Sequence, residues 1–136
     1  MLEVEEQNME LVEDLSVKYP SLYLGEPFQG DFYGMNSYEA RFVEILLERD
    51  LVVFREPLIA NVDCVPDFFV YNCKRGSGKL VEITLMPKNG NGKNGFRTKM
   101  RKERQKESLA STGIPYVILY REELEKVRDY CRWDLF

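Results

Sequence analysis

Residues 65 to 85 read Val65-Pro66-Asp67-Phe68-Phe69-Val70-Tyr71-Asn72-Cys73-Lys74-Arg75-Gly76-Ser77-Gly78-Lys79-Leu80-Val81-Glu82-Ile83-Thr84-Leu85. Two apolar runs flank the turn-rich stretch from Lys74 to Lys79, a pattern that predicts a β-hairpin. Asp67 opens the first strand and Glu82 lies within the second. Folding the hairpin would bring both carboxylates to one end of a sheet, where hard oxygen ligands suit a divalent cation. That arrangement suits hydrolysis of a phosphodiester. Strand alternation puts Glu82 and Thr84 on one face, and Val81 and Ile83 on the other. Each acid also has an ordinary explanation. Pro66-Asp67 is common turn chemistry, and Glu82 could pair with a nearby lysine.

On the N-terminal side of the hairpin, residues 2 to 17 suit a helix with Val4, Leu11, Val12 and Leu15 on one stripe, ended by Pro20. Residues 20 to 36, rich in glycine, proline and aromatics, read as a loop. Ser37 could cap a helix from Tyr38 to about Arg49. On that helix Tyr38, Phe42, Val43, Ile45, Leu46 and Leu47 form a broad apolar arc, with Arg41, Glu44 and Glu48 opposite. Glu39 falls near the middle of the apolar arc. A carboxylate there is costly unless paired, hydrogen-bonded or bound to metal. Its place in the first turn, beside the helix dipole, is the plainer explanation.

Leu51 to Arg55 reads as a short strand and Pro57 to Val65 as a connector. After the hairpin come a glycine loop (Asn89 to Gly95), a basic helix from about Arg97 to Ser111 ended by Gly113, a strand from Pro115 to Tyr120, and a helix from Glu122 to Cys131. The predicted fold class is α/β, with helices on a central sheet, and the whole of 1–136 forms one domain. Within it, 1–36 is an N-terminal helix and loop, 37–120 the core, and 121–136 a C-terminal helix and tail. Trp133, Leu135 and Phe136 are expected to pack internally.

Composition narrows the chemistry. A chain of 136 residues with 44% apolar and 31% charged residues suits a single globular domain. No run is long enough to span a membrane, and the acidic N-terminus lacks a signal peptide's pattern, so a cytoplasmic protein is expected. Cys64, Cys73 and Cys131 form no CxxC pair, and there is no histidine, which argues against a zinc site. Histidine-based nucleophilic and acid–base catalysis is excluded. No phosphate-cradling glycine motif opens a helix.

Charge is unevenly spread around a net of -4. Residues 3 to 14 hold six acids and no base. Residues 93 to 106 hold seven bases, Lys93, Arg97, Lys99, Arg101, Lys102, Arg104 and Lys106, against Glu103 alone. A polyanion responds to such a local patch rather than to the total. The competing explanation is a solvated helix face.

Together these residues resemble the PD-(D/E)xK nuclease superfamily, the restriction-endonuclease-like fold. The resemblance rests on Pro66-Asp67, the hairpin, then Glu82-Ile83-Thr84, with Glu39 on the preceding helix. Ser37-Tyr38-Glu39, Arg55-Glu56-Pro57-Leu58 and Val65-Pro66-Asp67-Phe68 look most like the TnsA-like transposon-end endonucleases. Holliday-junction resolvases are similar as well. The resemblance covers roughly residues 37 to 120 and implies a mixed central sheet flanked by helices.

It also implies a Mg²⁺-dependent (or Mn²⁺-dependent) DNA endonuclease. Asp67, Glu82 and the Ile83 carbonyl would bind metal, with Glu39 assisting. The basic cluster would grip DNA. The chain departs from the family at Thr84, which stands where the motif lysine is expected. Lys88 is the nearest substitute, with Lys99 and Lys102 behind it. Without such a lysine, the alternative is a catalytically degenerate member that binds nucleic acid or recruits a partner. A homodimer or partner subunit is expected from the need to cut two strands. A metal-free structural protein is the third reading.

Overall fold

The computed structural model describes residues 2–84, 93–125 and 136, with side chains for all of these except 2–5, 93–99, 102 and 125. The elements run α1 (Leu2–Lys18), β1 (Leu22–Tyr23), α2 (Ser37–Glu48), β2 (Val52–Arg55), β3 (Leu58–Ile59), β4 (Phe68–Asn72), β5 (Ser77–Thr84), α3 (Lys93–Ser111), β6 (Tyr116–Tyr120) and α4 (Arg121–Glu125). Four strands make a mixed sheet in the order β2-β4-β5-β6, and β1 pairs with β3 in a separate ribbon. The β2–β4 and β4–β5 pairs are antiparallel, whereas β5 and β6 run parallel. A parallel pair needs a long crossover, and α3 lies in the chain between these two strands.

Alternation along the strands divides the core in two. Val53, Phe68, Val70 and Val81 turn to one face, where Phe42, Val43 and Leu46 of α2 and Leu124 of α4 cover them. Phe54, Phe69 and Leu80 turn to the other, against Leu15 of α1 and Leu109 of α3. Each of these fully buried side chains contributes about 1.5–3 kcal/mol through removal from water. The result is a mixed α/β domain with helices on both faces of the sheet.

The tip of the hairpin is tighter than its composition suggests. Ser77, Gly78 and Lys79 belong to β5, so only residues 73–76 connect the strands. Gly76 has φ +65, a conformation that glycine adopts without cost. Lys18 Nζ donates to the Gly76 carbonyl and lies 5.5 Å from the Tyr71 ring centroid. The Gly78 amide donates to the Tyr19 hydroxyl at 3.1 Å. These contacts fasten the end of α1 to the hairpin.

Several expectations change at the element ends. The cap of α2 is Asn36, not Ser37. The segments read as loop and connector supply β1 and β3, which pair Leu22 with Ile59 and Tyr23 with Leu58. Helix α3 starts at Lys93, inside the stretch read as a glycine loop. Arg41 is half-buried rather than solvated, and among the described residues its Nε has no hydrogen-bond partner; nothing in the structure explains that.

Phe136 is buried against Phe42, ring centroids 6.2 Å apart, and its carbonyl accepts a 2.8 Å bond from Asn72 Nδ2. Trp133 and Leu135 lie outside the described residues, as does Cys131. Cys64 and Cys73 are free thiols. Among the described residues no helix is long and apolar enough to cross a membrane.

Candidate functional site

The β4–β5 register pairs Phe68 with Val81. One step beyond that pair, Asp67 stands opposite Glu82. Alternation then turns both carboxylates to the face that Phe69 and Leu80 occupy further along the sheet. Both acids are half-buried, at the point where β4 begins. Their contacts are reciprocal. Asp67 Oδ2 accepts from the Ile83 amide at 2.7 Å, and the Glu82 carboxylate accepts from the Asp67 amide. The side chains are also within hydrogen-bonding reach of each other.

Two carboxyl groups this close cannot both ionise freely. Burial raises the Asp67 carboxyl above its ordinary value, with the charge of Glu39 adding to the rise and the Ile83 amide opposing it. Burial and then the negative charge of Asp67 push Glu82 up, to about 8. At neutral pH the pair therefore shares one proton, held on Glu82.

Glu39 sits at the first turn of α2. Its amide donates to Asn36 Oδ1 at 2.9 Å, and its Oε1 accepts from Asn36 Nδ2 at 2.5 Å. The pair resembles a capping box, except that the Asn36 side-chain amide, not its backbone N–H, donates to Glu39. Glu39 therefore has a structural role, and it also lies close enough to act electrostatically on both hairpin acids. Thr84 follows Glu82 on the same strand and pairs in register with Tyr120.

Arg101, Arg104 and Lys106 are carried on α3, and all three are exposed. Lys93, Arg97, Lys99 and Lys102 share that helix by backbone position, but their side chains fall outside the described part. Lys88 lies outside the described residues altogether.

Two further side chains reach the site. Glu56 adds its charge to the field at Asp67. Its amide donates to the Asp67 carbonyl at 2.8 Å, and its φ of +49 is uncommon for a residue with a side chain. Cys64 feels the charge of Glu82, and burial raises its thiol pKa above the ordinary value. The Glu56-Pro57 step was a readable sign of a sharp bend after β2. Nothing local in the sequence placed Cys64 near Glu82, because 18 positions of chain separate them.

Among the described residues no three His, Cys, Asp or Glu side chains form a ready-made metal cage. The available donors are the two facing carboxylates. They suit a hard divalent cation, because a positive charge between them would replace the shared proton.

The raised Glu82 carboxyl has a consequence for stability. The folded state holds a proton there from pH 4.5 to about 8, where the unfolded chain has released it. Folding stability from this group is therefore full at low pH and is lost as pH rises through that window. In EDTA, the melting temperature of the wild type is expected to fall across it relative to Glu82→Gln, which cannot ionise. Parallel melting curves for the two proteins would refute the shared proton.

No family model, curated protein or solved structure matches this chain.

Proposed function

We propose that the chain is a metal-dependent DNA endonuclease of the restriction-endonuclease-like fold, with Asp67 and Glu82 as its metal-binding pair. The observation that carries this reading is the pair of facing carboxylates that the β4–β5 register brings together. The sequence of elements α2-β2-β4-β5-α3-β6, with only the last strand pair parallel, is what the PD-(D/E)xK resemblance leads one to expect.

Asp67 and Glu82 would hold Mg²⁺ or Mn²⁺, with the Ile83 carbonyl as a further oxygen donor. Once bound, such an ion polarises a phosphoryl group and makes a bound water acidic enough to attack. The chain's own part is to hold two oxygen donors at fixed spacing on strands that cannot move independently. Glu39, anchored by Asn36, keeps further negative charge beside the pair and so favours occupancy by a cation. The bases of α3 would take DNA phosphates, which gives affinity without sequence information. Lys88 is the proposed source of positive charge at the transferring phosphate, in place of the residue at Thr84.

One observation favours a second reading, a nuclease fold that only binds. Thr84, which stands where the motif lysine is expected, carries no charge. Calorimetric titration with Mn²⁺ separates the two readings. The nuclease reading expects saturable binding in the wild type and its loss in Glu82→Gln. Absence of any metal-dependent heat, with DNA binding retained, would leave the binding module.

A further inference from the structure

Two helices of opposite charge cover the same face of the sheet. Leu11, Val12 and Leu15 of α1 and Leu109 of α3 all pack into the core on the side of Phe69 and Leu80. With those residues turned inward, the remainder of each helix faces away from the sheet. The outer surface of this layer therefore has an acidic half and a basic half. Helix α1 carries six acids against one base, Lys18, a net charge of -5. Helix α3 carries seven bases against two acids, Glu103 and Glu107, a net charge of +5.

The described charges of both helices lie at the surface. Glu6, Glu10, Glu13 and Asp14 are exposed on α1, and Arg101, Arg104 and Lys106 on α3. Among the described residues, no ion pair within the chain neutralises any of these side chains, so the two halves do not satisfy each other. Apolar side chains are set among the charges. Met9 is 64% exposed and Val17 83% on α1, and Met100 is 43% exposed on α3. Met9, Glu13 and Val17 follow one another at four-residue spacing, as do Met100 and Arg104, so each apolar group shares an outer line with a charge.

We propose that this layer is the interface of a homodimer, with α1 of each copy lying on α3 of the other. A twofold axis between the two helices makes the layer complementary to itself, because the rotation exchanges its acidic and basic halves. Acids of α1 then meet bases of α3 twice over, and Met9, Val17 and Met100 leave water. Opposite charges facing each other also steer the encounter and fix its register. Nucleic acid suits only half of the layer, since a polyanion drawn to α3 meets the acids of α1 on the same face. The inference goes beyond the nuclease reading and does not depend on it. Under that reading, DNA and the second copy compete for the bases of α3.

The test is analytical sedimentation of the full chain without DNA or metal. The wild type is expected to dimerise in about 50 mM NaCl and to weaken at least tenfold at about 1 M, where charges are screened beyond about 3 Å. Glu6→Lys, Glu10→Lys and Glu13→Lys together make α1 positive, and Arg101→Glu, Arg104→Glu and Lys106→Glu together make α3 negative. Each triple variant alone sets like charges against each other, and its self-association should weaken about 100-fold. An equimolar mixture of the two should form a mixed dimer, and a chain with all six substitutions should dimerise with itself. The six positions are exposed, and melting curves check that each variant folds. Glu6→Gln, Glu10→Gln and Glu13→Gln together remove charge without reversing it and should weaken association about tenfold, which keeps the test decisive if a reversed variant misfolds. A wild type that stays monomeric at low salt would overturn the inference. So would affinity indifferent to 1 M salt, or folded triple variants that associate as the wild type does. Triple variants that remain monomeric when mixed would overturn it as well.

Discussion

Asp67→Asn and Glu82→Gln are each expected to lower Mg²⁺-dependent DNA cleavage by about a thousandfold, roughly 4 kcal/mol of transition-state stabilisation at 1.36 kcal/mol per tenfold. The amide variants are the informative ones. Asp67→Ala would also remove the acceptor of the Ile83 amide, leaving a partly buried donor unsatisfied at a cost of about 1–3 kcal/mol. Its loss of activity could then be a loss of structure. In Asp67→Asn the side-chain amide oxygen would still accept that bond, while the charge is shed. Melting temperature should therefore hold in Asp67→Asn and drop in Asp67→Ala.

In Glu82→Gln at pH 8 without metal, stability is expected to rise, because the burial and the Asp67 repulsion that lift Glu82 to about 8 no longer act on a carboxylate. Activity lost while stability is gained is the pattern of a functional site held at a structural cost. Plasmid nicking at wild-type rate in both amide variants would place the chemistry elsewhere or nowhere.

Gly78→Ala is expected to be the most damaging single methyl group in the hairpin. A Cβ at this position would lie 2.3 Å from Phe69 Cζ and 2.8 Å from Cε2. Phe69 has no room to yield. It is fully buried, with Tyr19 edge-on at 5.2 Å and Phe54 at 6.2 Å. Overpacking of this kind costs about 3 kcal/mol, which lowers the melting temperature of a domain this size by roughly 10 °C. Moving the strand would also stretch the Gly78 amide away from the Tyr19 hydroxyl. Phe69→Leu should destabilise the wild type yet recover part of the loss in Gly78→Ala. That sign of coupling, read from a double-mutant cycle, distinguishes a ring clash from a general dislike of alanine in β5. Additive effects would refute it.

The Gly78 contact also shows where the hairpin was readable and where it was not. Gly-Ser-Gly between two apolar runs is a turn signal, so residues 74 to 79 look like connector. Only residues 73–76 turn, because Gly78 is needed in the strand as the one residue that leaves room for the Phe69 ring. A similar substitution of reasons occurs at Asn36. Asn36 and Ser37 are both good caps, and the asparagine serves because its side chain both accepts from and donates to Glu39. The strands β1 and β3 were invisible for a different reason. Each has two residues, and their pairing joins positions more than thirty residues apart, which no local propensity records.

Local chemistry was enough to place the main helices and strands, their order, and the alternation that sets Glu82 and Thr84 apart from Val81 and Ile83. Those features depend on periodicity within a few residues, and the chain carries that information openly. The relation among the acids depends on register. Pairing of Phe68 with Val81 sets Asp67 against Glu82, and a slip by one residue would turn one of them to the other face. The shared proton and the charge of Glu39 and Glu56 on Asp67 arise from burial and Coulomb forces between residues far apart in the chain. The same holds for Tyr33, whose carbonyl is held by Arg55 on another element. Desolvation and charge act through space, so only the folded chain could bring these groups under one another's influence.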